Sequence, residues 1–168
     1  NRYDGEELLL AYPQPEGITV RIYNHRGKIN LRELSRPRMR AMLEKRLGTN
    51  ATDQIDDLMD AWGDWLDLNE DASANGAEND YYEGLEIPYR PRNGRLETVE
   101  EILQIRGFAE VFEGVDLDAA FTIYGETEFV DLNKATVEAM QLLPGLDDEL
   151  IAEIINYRKD KDFTGNGD

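Results

Sequence analysis

Apolar residues recur along this chain with two different periods. Over residues 18–23, Ile18, Val20 and Ile22 alternate with more polar neighbours, the period of a strand with one covered face. Residues 24–27 supply turn-forming side chains and lead into a second short strand over 28–31. From residue 36 the period lengthens. Met39, Met42, Leu43 and Leu47 predict a helix over about 36–47, with Gly48 at its stop. Ile55, Leu58, Met59, Trp62 and Leu66 share one face of a second helix, about 52–66, whose other face carries Asp60, Asp64 and Asp67.

Further along, Thr98 and Glu101 have the spacing of a capping box that opens a helix ending at Gly107. Two last helices, about 134–142 and 148–160, are joined by Leu143-Pro144-Gly145. This order predicts a mixed α/β (α+β) fold: a β region over 1–35, a mainly helical domain over 36–163, and a loose tail at 164–168. The length of 168 residues suits one compact unit or one small domain set into another.

Charge changes the picture. The chain carries 36 acidic against 18 basic residues, a net charge of −18. Such a surface repels nucleic acid and anionic lipid and favours cations or basic partners. The absence of cysteine excludes disulfide scaffolds, thiolate metal sites and cysteine catalysis. No apolar run approaches the roughly 20 residues of a spanning helix.

The acids are not spread evenly. Between Asp53 and Tyr89 lie 12 acidic residues and no lysine or arginine. Carboxylates this dense repel one another, and a fold that packs them needs a counter-charge. Within this stretch Asp67, Asn69 and Asp71 place side-chain oxygens at alternate positions, and Glu78 and Asp80 repeat that spacing after a flexible segment over 73–76. This is the manner in which a loop (67–80) wraps a hard cation, and calcium takes 6–8 oxygen ligands. The glycine and the last glutamate are misplaced for an EF-hand. A solvated acidic face is the competing reading of the same residues.

The string Trp62-Gly63-Asp64-Trp65-Leu66-Asp67, then Gly76-Ala77-Glu78-Asn79-Asp80-Tyr81-Tyr82, Pro88-Tyr89, Asn93, Val99-Glu100-Glu101-Ile102-Leu103 and Ile105-Arg106-Gly107, resembles the K-type minor pseudopilins of bacterial type II secretion, the general secretion pathway protein K family. The resemblance continues through residues 130–136 and to Arg158. It implies a pilin-like β region carrying a large inserted helical domain, a non-catalytic role in protein transport, and one or two calcium ions in that domain. The positions matching the metal segment are Asp67, Asn69, Asp71, Glu78 and Asp80, with Asp64 a further candidate. The implied partners are the I- and J-type minor pseudopilins, at the tip of a periplasmic pseudopilus. The family's anchor in the inner membrane, a hydrophobic N-terminal helix, has no counterpart in this chain.

Other constellations compete with this reading. Tyr81, Tyr82 and Tyr89, followed by Arg90, Arg92 and Arg95, suit a partner-binding surface, since Tyr and Arg are favoured hot-spot residues. They suit equally well a filling between helices whose arginines face nearby acids. Residues 131–158 resemble a helix-hairpin-helix, which makes a nucleic-acid-binding protein the alternative function. Asp147 and Asp148 stand where phosphate would sit, however, and carboxylates there cap a helix. His25 is the one histidine and lies in a predicted turn.

Overall fold

A computed structural model describes residues 4–7 and 18–164. The predicted strand region therefore falls partly, and the predicted tail almost wholly, outside the described residues. Strand β1 (Asp4–Glu7) pairs antiparallel with β2 (Arg21–Tyr23). A 3₁₀ turn, His25–Gly27, follows, and then β3 (Ile29–Asn30). Helix α1 (Arg36–Leu47) and helix α2 (Thr52–Leu66) have the bounds that the apolar periodicity predicts. Pro37 sits in the first turn of α1, where no N–H is needed, and Gly48 ends it at φ +86°.

β2 and β3 do not pair with each other. β3 instead pairs in parallel with β4 (Phe121–Thr122), with Ile29 opposite Phe121 and Asn30 opposite Thr122. Tertiary contacts capture the turn. The Arg26 and Gly27 carbonyls accept from the N–H groups of Asp131 (2.8 Å) and Thr136 (3.1 Å). A Cβ at Gly27 would collide with the Lys134 carbonyl, so only glycine lets these two backbones meet. Ile29, Leu31 and Phe121 belong to the same core as the helices, so the helical body begins ahead of residue 36.

Between α2 and β4 run three short helices, α3 (Asn79–Glu83), α4 (Phe108–Val111) and α5 (Leu117–Ala120), that periodicity could not reveal. The helix expected after Thr98 is a 3₁₀ helix, Glu100–Gln104. Half of its predicted capping box is present: Glu101 accepts from the N–H groups of Glu97 (3.1 Å) and Thr98 (3.2 Å), while the Thr98 side chain makes no cap. Helices α6 (Val137–Leu142) and α7 (Asp148–Asp160) close the chain. Thr136 caps α6 and Asp147 caps α7 through the Leu150 N–H at 2.8 Å, the capping role expected for Asp147.

The core is an aromatic run. Phe121 meets Phe112, Phe112 meets Phe108, and Phe108 stacks on Trp62 at 5.7 Å. On the next turn of α2, Trp65 meets Tyr82 edge-on at 5.3 Å. Full burial of such rings contributes about 1.5–3 kcal/mol each, which makes α2 the central beam of the body. A satellite cluster of Ala135, Met140, Ile151 and Ile154 holds the α6–α7 pair.

Two cations tie that pair down. Arg158 donates to the carbonyls of Leu132 and Ala135, and Lys45 of α1 donates to those of Leu143 (2.8 Å) and Leu146 (2.6 Å) in the hairpin. Removing the lysine leaves those carbonyls without their charged donor. Lys45→Met is therefore expected to lower stability by about 1–3 kcal/mol, read from urea unfolding. An unchanged midpoint would show that the hairpin does not depend on this contact.

Candidate functional site

Helix α2 delivers the acidic site because its core face and its charged face meet near its end. Trp62 and Trp65 anchor the helix, and Asp64 between them is fully buried. Asp67 is the C-cap residue, and no basic side chain occupies the last turn. A helix C-terminus already carries partial negative charge, so carboxylates here stand against the helix dipole.

The chain leaving α2 folds back over Asp64. Asn69 N–H donates to Asp67 Oδ1 (3.0 Å) and Asp71 N–H to Asn69 Oδ1 (2.7 Å), two successive turns closed by side-chain oxygens. Ser73 gives Asp64 both its N–H and its hydroxyl, the latter at 2.6 Å, and Asn75 N–H donates to Asp60. Gly76 then passes so close that a Cβ would strike Asp64 Oδ2, and Arg106 holds the Gly76 carbonyl at 2.8 Å. Ala77 plugs the core, and Glu78 follows with only 5% of its surface exposed.

Glu78 is the anomaly. Both of its carboxylate oxygens are buried and accept no hydrogen bond. Burial raises its pKa above the ordinary carboxylate range, and the charges of Asp64, Asp67 and Glu70 raise it further; the nearby Asn93 side chain offsets this in part. A buried anion among anions is expensive unless something positive is supplied. The donor set, carboxylates with amide and backbone oxygens, suits a hard divalent cation of the calcium kind.

Of the predicted ligands, the structure brings Asp67 and Glu78 together with Asp64. Asn69 lines the same loop, where its carbonyl accepts from the Asn93 amide at 2.9 Å. Asp71 and Asp80 are exposed, and the charges that press on Glu78 are those of Asp64, Asp67 and Glu70. Alternate spacing puts oxygens on one side of an extended loop, but this loop turns at Asp67 and again at Asn69. Glu70, which the alternate spacing passes over, is exposed as well. Among the described residues no group of three or more acidic or histidine side chains converges as a formed metal cage.

The aromatic-basic segment is mostly structural. Tyr82 is wholly buried, its hydroxyl accepting from Arg106 N–H and its pKa pushed up to about 12 by burial, so its expected role at a partner surface is corrected to one in the core. Tyr89 is half-buried, with its hydroxyl on the Gln104 carbonyl. Tyr81 alone of the three is exposed, beneath the Arg106 guanidinium. The arginines face acids: Arg90 pairs with Glu83, Arg92 with Glu97 and Glu101, and Arg95 with Glu33. His25 is exposed and bonded through Nδ1 to Thr122.

This geometry defines a class: a mixed α/β body whose central helix presents buried carboxylates to an acidic loop. Residues 27–112 match the family model described as type II secretion system (T2SS), protein K, and the chain belongs to that family. It is similar to type II secretion system protein K of Pectobacterium carotovorum subsp. carotovorum, 39% identical over 66 residues, which cover 39% of this chain and 20% of that protein. In fold it is similar to a solved structure, the GspK–GspI–GspJ complex from the type 2 secretion system of enterotoxigenic Escherichia coli. The TM-score is 0.58 at 16% identity, over 82% of this chain and 51% of the other. The matched part is thus about a fifth of the curated relative and about half of the solved chain.

The site makes its own prediction. With calcium chelated, Glu78→Gln removes a buried charge that faces other charges. It is expected to raise the melting temperature by a few degrees, the scale of about 1 kcal/mol in a domain of this size. A lower melting temperature in chelator would show that the Glu78 charge is already compensated.

Proposed function

We propose that this chain belongs to a non-catalytic minor pseudopilin that assembles in the periplasm with I- and J-type partners at the tip of the type II secretion pseudopilus. The observation that carries this reading is the family match over residues 27–112, the segment that contains α1, α2 and the acidic loop. The likeness of fold to a chain of the solved GspK–GspI–GspJ complex is consistent with the same assignment. Anchoring in the inner membrane belongs, on this reading, to a segment outside the chain; among the described residues no helix is long and apolar enough to cross a membrane.

Calcium is the second part of the proposal, and the unpartnered Glu78 carboxylate supports it. Asp64, Asp67, Glu70 and Glu78 would hold the ion, with oxygens of the Asn69 loop beside them. Bound calcium would supply the positive charge that this corner lacks. Asp64, already held by Ser73, fixes the start of the loop, and Glu78 fixes its return to the body. Tyr81 and Tyr82 follow immediately in α3, so an ordered loop also sets the one exposed tyrosine of the segment.

The nucleic-acid alternative finds no favourable feature in the hairpin. Asp147 occupies the N–H end of α7, and Asp148 and Glu149 fill its first turn.

Two measurements check the proposal. The full periplasmic protein mixed with I- and J-type periplasmic domains is expected to elute as one ternary complex, and three separate species would overturn the assembly reading. Calcium at about 100 times its dissociation constant is expected to add about 2.7 kcal/mol of stability, with magnesium giving far less and Glu78→Ala abolishing the rise. Equal melting temperatures in calcium and chelator would overturn the metal reading alone.

A further inference from the structure

The buried polar atoms left without a partner among the described residues are few, and those of Glu78 and Asn93 lie together. The atoms are Trp65 Nε1, both carboxylate oxygens of Glu78, and Asn93 Oδ1. Native proteins leave few such atoms, so a cluster of them marks a missing partner. Three of the four are acceptors, which defines the partner as a donor or a cation.

Asn93 is placed there with care. It is the one non-glycine residue at positive φ among the described residues, at +46°. Its Nδ2 donates to the Asn69 carbonyl at 2.9 Å, and Gly94 N–H beside it reaches the Trp65 carbonyl at 3.4 Å. The turn at 92–94 is therefore stitched to the end of α2 and to the acidic loop. The Asn93 side chain also lies beside the Glu78 carboxylate. Rotating the amide does not remove the mismatch. With Nδ2 on Asn69, Oδ1 is left as an acceptor beside an unpartnered carboxylate; with Nδ2 turned away, Oδ1 would face the Asn69 carbonyl. Neighbouring Arg92 cannot neutralise the corner, because Glu101 holds its guanidinium through two contacts of 2.7 and 2.8 Å.

From this geometry we propose that Asn93 Oδ1 is an oxygen donor to the calcium centre, so that the ion clamps the 92–94 turn, and not only the acidic loop, to the end of helix α2. The proposal rests on the calcium reading of Glu78 and its neighbours. It adds a residue 15 positions after Glu78, from a segment that carries no acid between Glu86 and Glu97. A side-chain amide at this place lets the ion reach a second segment without adding a fifth negative charge to an overcharged corner.

The test uses two substitutions and calcium binding measured by calorimetry, alongside terbium luminescence excited through Trp65. Asn93→Gly removes the oxygen and suits the positive φ. Asn93→Asp keeps an oxygen and removes the N–H given to Asn69. The expected result is a loss of about tenfold or more in calcium affinity for Asn93→Gly, with Asn93→Asp binding at least as tightly as the unmodified protein. Equal weakening in both variants would make Asn93 a tether to Asn69 and overturn its role as a ligand. Affinity within about twofold of the original in Asn93→Gly would overturn it as well. Unmodified protein that binds no calcium would remove the metal reading itself, an outcome distinct from either variant result.

Discussion

Two carboxylates buried side by side at the end of one helix govern this molecule. Asp64 is satisfied by Ser73, and Glu78 is satisfied by nothing, yet both lie where water does not reach. Their positions are imposed by the core. Trp62 and Trp65 must point inward to meet Phe108 and Tyr82, and helical geometry then sends Asp64 under the loop. Ala77 must fill the core, and Glu78 follows it in. Hydrophobic packing of the aromatic run thus holds together charges that would otherwise separate. Local instability at this corner is the consequence of stability elsewhere, a pattern common where proteins bind ligands.

The rest of the surface treats its charge differently. Arg40 pairs with Asp56, Arg38 with Glu128, and Lys134 with Asp131, pairs that are partly solvated and each worth little. Arg92 and Glu101 are the exception, since that carboxylate is almost completely buried and also receives two backbone N–H groups. The contrast separates structural acids from available ones. Glu101 has its counter-charge within the chain, and Glu78 does not.

The two long helices were legible because a dozen or more residues with recurring apolar positions outweigh local noise, and α1 and α2 kept their predicted bounds. The partner of β3 was not legible. A two-residue strand has no periodicity of its own, and Phe121 lies 92 positions from Ile29, so nothing local announces the pairing. The short helices α3, α4 and α5 were hidden for the same reason. At the site, the acid-dense strings around Asp67 and Glu78 were readable as such. The course of the loop between them was not, because Asx turns at Asp67 and Asn69 redirect it. Tyr82 looked like a surface anchor by residue type. Its neighbours Trp65 and Tyr89 take it into the core, a fact of packing that composition does not carry.

The stitching of residues 26–27 to residues 131–136 has a mechanical meaning. Where the backbone reaches β3 and where it leaves for α6, the two segments touch, joined by the two hydrogen bonds around Gly27. Tension applied to the chain on either side is then borne across this short seam. Helices α1 to α5, the aromatic run and the acidic loop, all threaded between those two points, hang outside the line of force. A fold closed in this way can transmit a pull along its flanks while the site it carries stays undeformed.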